Sequence, residues 1–303
     1  MSTDLHLRPK ARALVDAFAA ARLPAFEAGT PDEARALTAA LRVPRDAPPL
    51  RHVEDATAGT VPVRVYADSD RPVATLIYFH GGGWVLGGVD EADHFTRDLA
   101  ADTGCRVVSV EYRLAPDAPF PAALEDADAA LDWVAATFSD EPILVIGESA
   151  GGNIATVAAA RARDRGGPPI VGQILAYPVV DSAMATGSYR DYEAGPLLTA
   201  PLMAWFWNHY LPEVPTRRHP HASPLHANLA DLPPAFILTA EHDVLRDEGE
   251  AYAAALKAAG VPTRLRRYAG QIHTFLVLGL SDEEDAAMTD ISDFILTTIG
   301  SAA

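Results

Sequence analysis

The chain moves between two hydrophobic periods. Residues 11–21 carry Ala, Leu, Val and Phe at helical spacing, which predicts a helix. A second helix begins at Thr30-Pro31-Asp32-Glu33, a capping box with proline at the first helical position, and runs to about Leu41. Pro44 and Ala47-Pro48-Pro49 then break the chain into a linker. Residues 61–66 (Val-Pro-Val-Arg-Val-Tyr) alternate, as a half-buried antiparallel strand does. Residues 73–79 are almost continuously apolar, the pattern of a strand covered on both faces. From there the two periods take turns. Strands are predicted over 105–110, 143–146, 170–177, 235–239 and 263–268, and helices over 122–136, 150–163, 248–259 and 285–298. Alternation of this kind predicts an α/β fold with a mostly parallel, doubly wound sheet flanked by helices. Residues 188–211, with Trp205-Phe206-Trp207 and Tyr210, interrupt the order and read as an insertion over a site.

Composition narrows the class. With 303 residues, 49% of them apolar, the chain can bury the core of one large domain or two modest ones. Its 24 basic against 41 acidic residues give a net charge of −17. Such a surface repels phosphate backbones and anionic lipid, so neither nucleic acid nor a membrane is expected as a partner. Cys105 is the only cysteine, which excludes an intrachain disulfide; its place in an apolar strand makes it a core residue. Residues 1–23 show no apolar leader core or small-residue cleavage site, and no stretch approaches the ~18 apolar residues of a membrane span. The expectation is a soluble cytoplasmic protein.

The chemistry concentrates in a few blocks. Gly147-Glu148-Ser149-Ala150-Gly151 is a G-x-S-x-G pattern between an apolar strand and a helix, the setting a nucleophile elbow needs. Glycines are required there because the turn strains the serine backbone and brings neighbours close. His80-Gly81-Gly82-Gly83-Trp84 follows another buried strand. Three glycines leave backbone N–H groups free to face an oxyanion, and the block lacks the lysine or G-x-G-x-x-G spacing of a phosphate loop. His80 reads as a brace of that loop rather than a base.

A serine nucleophile needs a base, and the base an orienting carboxylate, in the chain order serine, acid, histidine. Glu241, Asp243 and Asp247 compete for the acid after the strand over 235–239. Asp247 and Glu248 read as first-turn charges complementing a helix dipole, which favours Asp243 in the loop. His273 lies at the carboxyl end of the last strand, where α/β sheets place their sites, and is the candidate base. His219 and His221 lack the partners of a metal site, and no metal or organic cofactor is expected.

These blocks together resemble the hormone-sensitive-lipase-like branch of the α/β-hydrolases, bacterial esterase family IV, from about Leu76 to Phe275. The resemblance includes Glu111-Tyr112-Arg113-Leu114-Ala115-Pro116, Phe120-Pro121-Ala122-Ala123, Leu232-Pro233-Pro234, Asp243-Val244-Leu245-Arg246-Asp247-Glu248-Gly249 and His273-Thr274-Phe275. It implies an α/β-hydrolase fold with a helical cap: cap helices in residues 1–45, a catalytic domain over 46–303, and a cap insertion at about 185–215. It implies a serine carboxylesterase for short- to medium-chain acyl esters, with Ser149 as nucleophile, Asp243 as acid and His273 as base. The backbone amides of Gly82, Gly83 and Ala150 would form the oxyanion hole. Trp84, Trp205, Phe206 and Trp207 are candidates for an acyl pocket or for ordinary packing in a cap. Dimers are common among similar esterases, so a homodimer is expected. Glu148, Val244 and Thr274 stand where the branch usually has aspartate, proline and glycine. An amidase, lactonase or deacetylase on the same fold carries the same motifs, and a non-catalytic receptor of the branch would lack the base.

Overall fold

The computed structural model describes residues 5–41, 47–278 and 283–302. Two helices open the chain, α1 (Pro9–Ala21) and α2 (Pro31–Ala40). The Thr30 capping box forms as expected: Glu33 N–H donates to Thr30 Oγ1 and Thr30 N–H to Glu33 Oε2, with Pro31 opening the helix. The linker boundary at residues 45 and 46 lies outside the described residues.

The described residues build one eight-stranded sheet in the order β1-β2-β4-β3-β5-β6-β7-β8. Its strands are β1 (His52–Ala58), β2 (Val61–Ala67), β3 (Thr75–Phe79), β4 (Arg106–Val110), β5 (Ile143–Glu148), β6 (Ile170–Ala176), β7 (Ala235–His242) and β8 (Thr263–Ile272). Strands β3 to β8 run parallel, and β2 is antiparallel to both β1 and β4. The mostly parallel sheet is the one the apolar runs predict.

Alternate strand residues feed two cores. Ile77, Val108, Val145, Leu175 and Ile237 meet α4 (Ala122–Thr137), α5 (Ala150–Asp164) and α8 (Arg246–Ala258). Leu76, Val107, Leu144, Ile174 and Phe236 meet α3 (Val89–Thr103) and α9 (Glu284–Ala302) on the other face. Between β6 and β7 lie two further helices, α6 (Gly187–Asp191) and α7 (Ala200–Tyr210).

Two elements go beyond the periodicity reading. Strand β1 is mostly exposed and carries His, Glu, Asp and Thr; its pairing with β2 through the turn at Gly59 (φ 65°) makes it a strand. Helix α3 is rich in acids; Ala92, Phe95, Leu99 and Ala100 pack into the core, and Val89, Thr96 and Thr103 are buried beside them. No helix among the described residues is long and apolar enough to cross a membrane.

Candidate active site

Strand β5 delivers Ser149 at a sharp corner. Its residues are fully enclosed, and the chain passes at once into α5. Ser149 adopts φ 56°, ψ −120°, a conformation that costs residues with side chains on the order of 1–3 kcal/mol. The corner is held by Ser149 N–H donating to Ala176 O at 2.9 Å and by Ser149 O accepting from Val179 N–H at 3.2 Å. Glycines flank it because nothing larger fits. A Cβ on Gly147 would lie 2.8 Å from Gly152 N, and one on Gly151 would lie 2.6 Å from the carbonyl carbon of Phe79. Helix α5 is thereby seated on the end of β3, with its amino end at the serine. Ala150 is its first residue, so its N–H is one of those no intrahelical carbonyl can accept.

The loop after β7 and the end of β8 supply the other two groups. Ser149 Oγ lies 3.0 Å from His273 Nε2, and His273 Nδ1 lies 2.7 Å from Asp243 Oδ2. Asp243 Oδ1 accepts from Leu245 N–H at 3.0 Å, which fixes the carboxylate plane. All three side chains are buried. Tyr177 presents its ring edge-on to the imidazole, with centroids 4.8 Å apart. Residues 149, 243 and 273, spread over 125 positions of sequence, thus form one hydrogen-bonded line. Glu241 turns elsewhere and accepts from Gly270 N–H at 2.7 Å. Asp247 pairs with Arg246 and accepts from Ser188 N–H, tying α6 to the start of α8.

The glycine block lies beside this line. Gly82 and Gly83 have φ of 107° and 61°, and Gly82 O accepts from Val85 and Leu86 N–H, closing a tight turn. A side chain on Gly83 would run into the Phe206 ring, so α7 rests directly on the turn. The four aromatics separate by place. Trp84 and Trp207 are fully buried, packed on each other and on Tyr210, whose ring stacks on Trp84 at 4.1 Å. Trp205 is half-buried beside His209, and Phe206 is the one against Gly83. His80 braces the loop: its Nδ1 lies 2.7 Å from Gly81 O, its ring stacks on Tyr112, and burial lowers its pKa to about 4.

A protein-family model described as alpha/beta hydrolase fold matches residues 76–277. The chain belongs to the α/β-hydrolase family. The matched span coincides with the blocks that resemble its hormone-sensitive-lipase-like branch. The hydrolase is 41% identical over 265 residues to carboxylesterase NlhH of Mycobacterium tuberculosis, covering 82% of each chain. It is 38% identical over 238 residues to an ethyl acetate hydrolase of Pseudomonas putida, covering 74% of each. Among solved structures it is similar to the ester hydrolase EH1AB1 from the metagenome of Lake Arreo, with a TM-score of 0.91, 34% identity and coverage of 97% and 99%.

Two carboxylates of the hydrolase make buried contacts that spacing along the chain does not show. Glu248 lies in the first turn of α8, as its spacing predicts, but on the inward side. It is buried, and its Oε1 accepts from Val180 N–H at 2.7 Å and Asp181 N–H at 3.3 Å, joining α8 to the loop after β6; burial raises its pKa to about 8. The helix turn that sets its direction is invisible in charge spacing alone. Glu148, which stands where the branch usually has aspartate, is buried beneath the glycine turn and accepts from Gly81 N–H. The signal for it was a carboxylate ending an otherwise apolar strand. His219 and His221 stand together near Arg161, away from the serine: Arg161 Nη1 lies 3.3 Å from His221 Nδ1. Cys105 is buried, and burial pushes its thiol up to about 11.

Proposed function

We propose that the protein is a serine carboxylesterase for short- to medium-chain acyl esters, with Ser149, His273 and Asp243 as its catalytic residues. Carboxylic ester hydrolysis is the activity named for its relatives. The observation that carries the triad is the continuous 3.0 and 2.7 Å line from hydroxyl to imidazole to carboxylate. In the reaction, Ser149 Oγ attacks the ester carbonyl carbon as His273 Nε2 takes its proton. Asp243 holds the Nδ1–H tautomer and stabilises the imidazolium. The amides of Gly82, Gly83 and Ala150 receive the tetrahedral oxyanion; losing one such donor typically costs about 10²–10³ in turnover. His273 then protonates the leaving alcohol, the C–O bond breaks, and water repeats the sequence on the acyl-enzyme. No cofactor takes part in this scheme.

The short acyl preference is supported by Phe206, whose ring closes the space beside Gly83. A cytoplasmic setting belongs to the same reading, since a lone buried thiol has no use for an oxidising compartment. So does a homodimer, for which sedimentation should give twice 32.2 kDa.

The test is turnover of p-nitrophenyl acetate, butyrate and longer esters, with amides and lactones in the same panel. Ser149→Ala should lose on the order of 10⁴-fold or more in kcat while its circular dichroism is unchanged. Turnover like wild type in that variant sinks the proposal.

A further inference from the structure

A buried carboxyl group is costly unless hydrogen-bonded, and Glu148 closes a strand that is otherwise apolar apart from Gly147. It immediately precedes Ser149. Its Oε1 accepts from Gly81 N–H and lies 3.5 Å from the Tyr78 hydroxyl, which points at it from β3. The titratable groups around it are Tyr78, Tyr112 on the loop after β4, and His273 after β8, which attracts its charge. Gly81 is shaped to this contact, since a Cβ there would lie 2.6 Å from Glu148 Cδ. The carboxyl group therefore occupies the space a side chain at 81 would need.

The loop above has other anchors, among them Ala115 N–H donating to Trp84 O at 2.8 Å and Arg35 Nε donating to Val85 O at 3.0 Å. Tyr112 Oη donates to His80 O at 2.7 Å, His80 Nδ1 meets Gly81 O, and Gly82 O closes the turn to Val85 and Leu86. Among the described residues, Gly81 supplies the one amide of residues 80–83 that donates to a side chain. That side chain is covalently adjacent to the nucleophile. The contact thus ties the glycine turn to the serine corner across β3 and β5, whose last pair is Phe79 with Gly147.

We propose that Glu148 is a positioning residue, which fixes Gly81 by hydrogen bonding and so sets the Gly82 and Gly83 amides relative to Ser149. The inference rests on the esterase reading of that site. Hydrogen bonding rather than charge is the expected agent. A negative charge here would favour the imidazolium of His273 and oppose the oxyanion, and the two arise together in the same intermediate. Burial raises the Glu148 pKa to about 7, so its charge is not constant near neutrality. A carboxyl oxygen accepts from an amide in either state.

The test compares Glu148→Gln, Glu148→Asp and Glu148→Ala on p-nitrophenyl butyrate from pH 6 to 9. Gln keeps an acceptor at the same reach and should stay within about fivefold of wild-type kcat, with an unchanged pH profile. Asp, though usual in the branch, withdraws the acceptor by one C–C bond, about 1.5 Å, from a Gly81 turn that is fitted here to the longer side chain. A misplacement of about 1 Å can cost 10²-fold. Asp and Ala should therefore lose about 10- to 100-fold in kcat, with KM moved less than threefold. Affinity for a trifluoromethyl ketone, which forms an oxyanion adduct, should fall in parallel. The Asp and Gln variants carry the test even if Ala fails to fold.

Gln as impaired as Ala, effects confined to KM, or wild-type kcat in a folded Asp or Ala variant each overturns the inference. If wild type hydrolyses esters and Ser149→Ala does not, such a result leaves the esterase reading standing. An inactive wild type removes that reading itself.

Discussion

Ser149 and Thr274 both carry side chains at backbone angles that favour glycine, φ 56° and 65°. For Ser149 the strain has a use, because it lifts Oγ out of the strand end toward His273. Thr274 is β-branched, the residue type least suited to positive φ. Its Oγ1 donates to His273 O at 2.6 Å, so the side chain holds the backbone of the histidine next to it. Thr274→Val keeps the branching and loses the hydrogen bond; it should destabilise by about 1 kcal/mol. Thr274→Asn, a residue that tolerates left-handed backbone, should be neutral or stabilising. Urea unfolding of the two variants measures this, and a Val variant as stable as Asn would contradict it.

At the scale of elements, the site is a set of strand ends covered by one helix. Strands β5, β7 and β8 each deliver a residue just past their carboxyl ends, the common location in open α/β sheets. Helix α7 covers the glycine turn, and neighbouring aromatics on it have different surroundings. Phe206 abuts Gly83, whereas Trp207 is sealed against Trp84 and Tyr210. Phe206→Ala should open space beside the turn and raise the hexanoate-to-acetate ratio of kcat/KM severalfold. Trp207→Ala should cost about 3–5 kcal/mol of stability and leave that ratio near wild type. Acyl-chain profiles beside thermal melts separate the two, and a selectivity change in Trp207→Ala alone would reverse the assignment.

For the whole molecule, buried acids shape the response to pH. Glu148 and Glu248 are both raised by burial, to about 7 and about 8. An acid with a raised folded pKa contributes stability that is complete below its unfolded value, near 4.5. That contribution is lost as pH rises through the folded value. Stability should therefore decline between about pH 5 and 8, alongside the self-repulsion of a chain already at −17. Glu248→Gln keeps an acceptor for Val180 and Asp181 N–H but cannot ionise, so its Tm should fall less over that interval. Parallel Tm curves for variant and wild type would refute the assignment.

Local pattern was enough for the parallel strands, the serine corner and the Thr30 cap, because apolar runs, glycine spacing and capping residues act within a few positions of each other. It also narrowed the acid to three carboxylates. Partnership across the sheet was beyond it. Strand β1 exists through its pairing with β2, α3 hides its buried stripe among acids and threonines, and Glu148 meets Gly81 across 67 residues. Asp243 and Glu248 are both buried and differ in role because one meets the His273 imidazole and the other the backbone after β6. Short-range chemistry is written along the chain, while burial and long-range contact arise only when distant segments share one core.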